Sequence, residues 1–80
     1  MSDHKQIPLN RMESGQRGKV IEIQGGQGIV RRLEALGVRT GRNITKVSSM
    51  FMRGPVTLQI GNMQIAIGFG MARRIIVELD

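Results

Sequence analysis

Residues 56–67 read Val56-Thr57-Leu58-Gln59-Ile60-Gly61-Asn62-Met63-Gln64-Ile65-Ala66-Ile67, and the fold turns on this stretch. Apolar side chains stand at every second position on both sides of Gly61-Asn62. A period of two belongs to a half-buried strand, and a Gly-Asn pair between two such runs signals a two-residue β-turn. The segment is therefore a hairpin. Val56, Leu58 and Ile60 share an apolar face with Met63, Ile65 and Ile67, while Thr57 and Gln59 take the other. A slip of one residue would turn that face to water, so the register is pinned. Met63 is expected in the core.

Working outward, Gly68-Phe69-Gly70-Met71-Ala72 is a tight connection of about one helical turn, and Ile75, Val77 and Leu79 resume the alternation in a last strand. Upstream, Ser48-Ser49-Met50-Phe51-Met52-Arg53-Gly54-Pro55 is a loop, preceded by a strand over Asn43 to Val47 and a turn at Gly41-Arg42. Further back the period changes. Ile29, Leu33 and Leu36 recur at i, i+4 and i+7, which places them on one helical face, with Arg31, Arg32 and Glu34 away from it. Gly37 supplies the left-handed residue that ends the helix, and Val38 is placed to touch Leu33 in a Schellman stop. Lys19-Val20-Ile21-Glu22-Ile23 is another strand, and Ile7-Pro8-Leu9 begins an edge strand, where proline is tolerated. Residues 1–6 form a polar, flexible tail, and residues 7–80 form one domain.

Strand, helix, then strands joined by short connections describe a mainly β domain. A small five-stranded SH3-like barrel fits best, with one short helix between the first and second core strands. Closure removes or shortens the exposed edges that an open sheet would leave. The composition agrees. A chain of 80 residues has room for one small core, burying about 60% of the surface of its unfolded chain. Eleven glycines favour many sharp turns, and the absence of Cys removes disulfide and thiolate–zinc staples. No apolar run approaches the ~20 residues of a membrane-spanning helix, so a cytoplasmic location is expected.

Candidate chemistry is sparse. The chain has one His and no Cys or Tyr, and its acidic residues are scattered, so no nucleophile–base–orienter set can be assembled. No enzyme is expected, nor any bound cofactor. Gly25-Gly26-Gln27-Gly28-Ile29-Val30-Arg31 follows a strand and opens a helix, as phosphate-binding turns do. Arg31, however, stands where the dinucleotide fingerprint needs its third glycine, and no Gly-Lys-Ser/Thr follows. Gly68-Phe69-Gly70 lacks the second aromatic platform of an RNA reader. A tetrahedral metal site cannot be built from one His without Cys. Ser2-Asp3-His4, freed of Met1, and the thioethers of Met50 and Met52 are the remaining metal-binding options.

A net charge of +6 calls for an acidic neighbour: protein, nucleic acid or phosphate. Arg31 and Arg32 share the solvent side of the helix, and Arg39 and Arg42 follow closely. Met50, Phe51 and Met52 place three large apolar side chains beside Arg53 in one loop, a composition suited to protein contact.

Arg31-Arg32-Leu33-Glu34-Ala35-Leu36-Gly37-Val38-Arg39-Thr40-Gly41 resembles the R-L-x-x-L-G block of the ferrous iron transport protein A (FeoA) family. Gly54-Pro55-Val56, Gly61 to Ile67 and Ala72 to Val77 resemble its G-P-V, G-x-x-I-A-L and A-x-x-I-x-V segments in order. Two departures stand out: Gly68-Phe69-Gly70 after the third block, and Met50-Phe51-Met52 where the family has mostly small residues. The resemblance implies an SH3-like barrel and a small cytoplasmic accessory of ferrous iron uptake. Its implied partner is the B-type GTP-binding membrane transporter, met by protein contact at the inner face of the membrane. The same domain forms a lobe of some metal-responsive repressors, so transition-metal binding stays open as an alternative. A nucleic-acid-binding barrel and a weak homo-oligomer stay open too. The expected contact residues are Met50, Phe51, Met52 and Arg53 in the loop, with Arg31 and Arg32 on the helix.

Overall fold

Alternation of buried and exposed positions carries through the molecule. In the computed structural model, residues 5–49 and 54–80 are described. The elements are β1 (Gln6–Pro8), a 3-10 turn (Leu9–Arg11), β2 (Arg17–Ile23), α1 (Gln27–Ala35), β3 (Asn43–Ser49), β4 (Val56–Ile60), β5 (Met63–Ile67), α2 (Phe69–Ala72) and β6 (Ile75–Leu79). The six strands form one antiparallel sheet in the order β1-β6-β2-β3-β4-β5, curled into an SH3-like barrel.

The hairpin forms in the expected register, with Leu58 opposite Ile65 and Ile60 opposite Met63 across Gly61, whose φ is +60°. β2 is the strand that curls the sheet. Its first residues pair with β3 and Gly18 to Ile23 with β6, and a register shift between Val20 and Glu22 bends it. A second shift lies in β3 between Lys46 and Ser48. Bulges of this kind sharpen the local twist and re-aim the strand. Gly18 lets β2 and β6 close. A Cβ there would come within 2.4 Å of Val77 Cγ1 and 2.6 Å of the Glu78 carbonyl oxygen.

Leu9, Val20, Leu33, Val38, Ile44, Leu58, Ile75 and Val77 are fully or almost fully buried at the centre of the core. α1 closes over it through Leu33, with Ile29 packed at the margin. The helix ends as expected: Val38 N donates to Leu33 O at 2.9 Å and Gly37 N to Glu34 O at 3.0 Å, with Gly37 at φ +97°. These are the two bonds of a Schellman stop.

Some expectations need correcting. The sheet has six strands where a five-stranded barrel was expected, because the edge segment around Ile7 pairs with β6 as β1, Ile7 opposite Val77. Leu36 does not share the buried stripe. It is the C-cap, beyond Ala35 and next to the left-handed Gly37, and is 39% exposed. Met63 is not in the core either. β5 is the last strand of the sheet, and its turn-proximal end overhangs the core, leaving Met63 52% exposed. Lys46, a cation within a strand, is buried.

Candidate functional site

The end of α1 and the start of β5 meet at the surface. Arg31 and Arg32 are both exposed on α1, as their helical positions require. Arg32 lies in the last turn, where a cation complements the helix dipole, and four residues before Leu36, which puts the two side by side. Met63 reaches across from β5: its Cε lies 3.9 Å from where a Cβ would stand on Gly37. Leu36, just before Gly37 in the chain, and Met63, which reaches Gly37 from β5, are thus two exposed apolar side chains at the helix stop. Arg42 closes the far side, its guanidinium 3.8 Å from a Cβ position on Gly61 in the hairpin turn. The Arg42 amide donates to Arg39 O at 3.0 Å, so Arg39 sits in the same turn.

Of the residues expected to make contact, Arg31 and Arg32 are where the sequence placed them. Met50, Phe51, Met52 and Arg53 lie outside the described residues, as does His4. Leu36 and Met63 were assigned to the core by their periodicity, and their exposure could not be read from it. The clue to Met63 was its place directly after a turn, in a strand with no further partner.

Lys46 is the least foreseeable side chain. Its position two residues after Ile44 puts it on the inner face of β3. The Nζ donates to the Met12 carbonyl and, at 3.4 Å, to that of Asn10, tying β3 to the 3-10 turn. Burial pulls the ammonium below the ordinary lysine range. The neighbouring Asn10 Oδ1 is buried without a hydrogen-bond partner.

Two open grooves mark the described surface. One, about 350 Å³, is lined by Asn43, Thr45, Gln59 and the exposed Arg17–Asp80 pair, 3.6 Å apart. The other, about 320 Å³, lies among Lys5, Arg11, Glu13 and Gln16. Among the described residues no three His, Cys, Asp or Glu side chains converge as a metal site would require. Nor is any described helix long and apolar enough to cross a membrane. Phe69 is half-buried in α2, so Gly68-Phe69-Gly70 opens a helical turn rather than a stacking platform.

Fold and surface together define a small SH3-like barrel whose distinctive chemistry is an apolar pair among arginines. The FeoA domain model matches residues 7–79, and the chain belongs to that family. It is 32% identical over 71 residues to a Methanocaldococcus jannaschii protein that carries the name Fe(2+) transport protein A, covering 89% of this chain and 84% of that one. A crystal structure of an iron uptake regulatory protein (FeoA) superposes with a TM-score of 0.87 at 33% identity, over 95% of this chain and 99% of the other. A manganese-dependent transcriptional repressor reaches the same TM-score at 16% identity, with this chain spanning 45% of its length. That last likeness is one of fold.

Proposed function

We propose that this chain is a small cytoplasmic accessory of ferrous iron uptake, acting by contact with the B-type GTP-binding membrane iron transporter. The observation that carries the reading is the FeoA-domain match over residues 7–79. The relative named Fe(2+) transport protein A, similar along most of both chains, supports the same system. Contact suits the composition better than carriage, since a single His and no Cys offer few ligands for a transition metal. Leu36 and Met63 provide apolar anchorage, and Arg31, Arg32 and Arg42 provide steering toward an acidic surface. Met50, Phe51, Met52 and Arg53 are proposed to add a second anchor.

The test is a titration of the chain against the transporter's purified cytoplasmic GTP-binding domain, with Fe(II) uptake measured in cells lacking the chain. Saturable binding and an uptake defect restored by the chain are expected. Absence of both would remove the reading. The net charge of +6 gives a nucleic-acid-binding barrel its one support. Micromolar binding to DNA or RNA that weakens steeply with salt would favour that alternative. Stoichiometric heat from Fe(II) or Mn(II) under anaerobic calorimetry would favour direct metal binding.

A further inference from the structure

The two outer strands of the sheet are not equally protected. β1 is three residues long and contains Pro8, which has no N–H to offer; short length and proline are common ways of blunting an edge. β5 has neither defence. It is five residues long, reads Met63-Gln64-Ile65-Ala66-Ile67, carries no charge and no proline, and pairs with β4 without a bulge. Among the described residues no strand lies beyond it.

The register fixes what that edge presents. In a two-residue hairpin the pair flanking the turn is hydrogen-bonded, and such pairs alternate along an antiparallel ladder. Ile60–Met63, Leu58–Ile65 and Val56–Ile67 are therefore the bonded pairs. The N–H and C=O groups of Gln64 and Ala66 point the other way, outward from the sheet. Both residues are exposed, and Ala66 has no bulk to obstruct an incoming backbone. At the turn-proximal end of this edge is the exposed Met63, reaching Gly37, with Leu36 next to that glycine in the chain, Arg32 four residues before Leu36 on the helix and the Arg42 guanidinium at Gly61.

We infer that the outer edge of β5 receives an extended, acidic segment of a partner protein as a seventh strand. Main-chain bonds to Gln64 and Ala66 would hold it, an apolar side chain would land on Leu36 and Met63, and carboxylates would face Arg32 and Arg42. This is strand addition, in which backbone bonding supplies affinity and alternate side chains supply selectivity. Charge decides the occupant. A second copy of the chain would bring two +6 surfaces and two sets of arginines together, whereas an acidic segment neutralises them. The inference rests on the reading that this chain works by protein contact, and specifies where.

The test uses the full chain. An eight-residue synthetic peptide alternating acidic residues with Val or Ile is titrated into labelled protein while amide hydrogen exchange is followed. Exchange at Gln64 and Ala66 is expected to slow tenfold or more, and a charge-reversed lysine peptide should leave it unchanged. Ala66→Pro removes an outward N–H without touching the β4 ladder, and Met63→Glu places a like charge at the landing site. Each should weaken peptide binding at least tenfold while thermal unfolding shows a folded chain; if one fails to fold, the other carries the test. Equal protection by both peptides, protection elsewhere, or undiminished binding by a folded variant overturns the inference. So does a concentration-dependent dimer that Ala66→Pro dissolves, which would assign the edge to a second copy. Unchanged binding of the transporter domain by folded Ala66→Pro would sink this inference alone and leave the proposed function standing. Peptide protection without transporter binding would do the reverse.

Discussion

Lys46 combines a buried position with a hydrogen-bonded charge. Its ammonium is desolvated, which lowers its proton affinity in the folded state relative to the unfolded chain. The native protein therefore binds fewer protons than the unfolded one between the lowered value and the usual lysine value of about 10.4. The penalty is fully present below that window, so stability contributed by Lys46 should rise with pH across it. Urea unfolding at a series of alkaline pH values would show the slope, and Lys46→Met should abolish it. At neutral pH the same substitution leaves the Met12 and Asn10 carbonyls without their donor, at a cost of about 1–3 kcal/mol. An alkaline slope that persists in Lys46→Met would mean another group is responsible. Gly18 is constrained differently, by space. Gly18→Ala drives a methyl into Val77 and the Glu78 carbonyl, and a loss of about 1–3 kcal/mol is expected in urea unfolding. The Lys46 arrangement was hard to read because lysine in a strand ordinarily marks the wet face, and only its spacing from Ile44 said otherwise.

Within elements, position along a strand or helix separates residues that look alike in sequence. Met63 and Ile67 stand on one face of β5, yet one is 52% exposed and the other 2%. Ile67→Ala should cost about 2–5 kcal/mol, as a buried truncation does. Met63→Ser should stay within about 0.5 kcal/mol, as surface changes do. Leu33 and Leu36 repeat the contrast on α1, and Leu33→Ala against Leu36→Ala should split the same way in chemical denaturation. A comparable loss at both members of either pair would contradict the assigned burial. The hairpin and the helix stop were legible because each is written in consecutive residues: a period of two broken by Gly61-Asn62, and Gly37 between Leu33 and Val38. The surface position shared by Leu36 and Met63 was not, because the two belong to separate elements that approach only through tertiary packing, Met63 against Gly37. Arg32 and Arg42 were readable individually as surface cations.

Taken whole, the molecule carries its excess positive charge on a compact body, 35 × 28 × 24 Å along its principal axes. Association with an acidic partner should accordingly be fast at low ionic strength and slow as salt rises past the point where the Debye length falls to about 10 Å, near 0.1 M. Arg31→Glu with Arg32→Glu should depress the association rate with the transporter domain at low salt by about tenfold, within the range steering supplies. Truncating Met50, Phe51 and Met52 together to Ala should act instead on the dissociation rate, as removal of apolar anchors does. Stopped-flow measurements at two salt concentrations separate the two. Rates unaltered by either set of changes would place the contact elsewhere.

The position of β6 between β1 and β2 has a consequence for how the protein is made. Gln6 pairs with Glu78 and Gly18 with Leu79, so one side of the sheet joins segments far apart in sequence. During synthesis β2 through β5 can pair in turn while β1 has no partner and β2 lacks its neighbour on the β6 side. The barrel cannot assemble until residues 75–79 have cleared the exit tunnel. Closure on that side of the sheet therefore waits for the last strand and is slow, as pairing between segments distant in sequence is. A nascent chain arrested before Ile75 would leave β1 without a partner and one edge of β2 open, and quality-control proteases should find it a ready substrate.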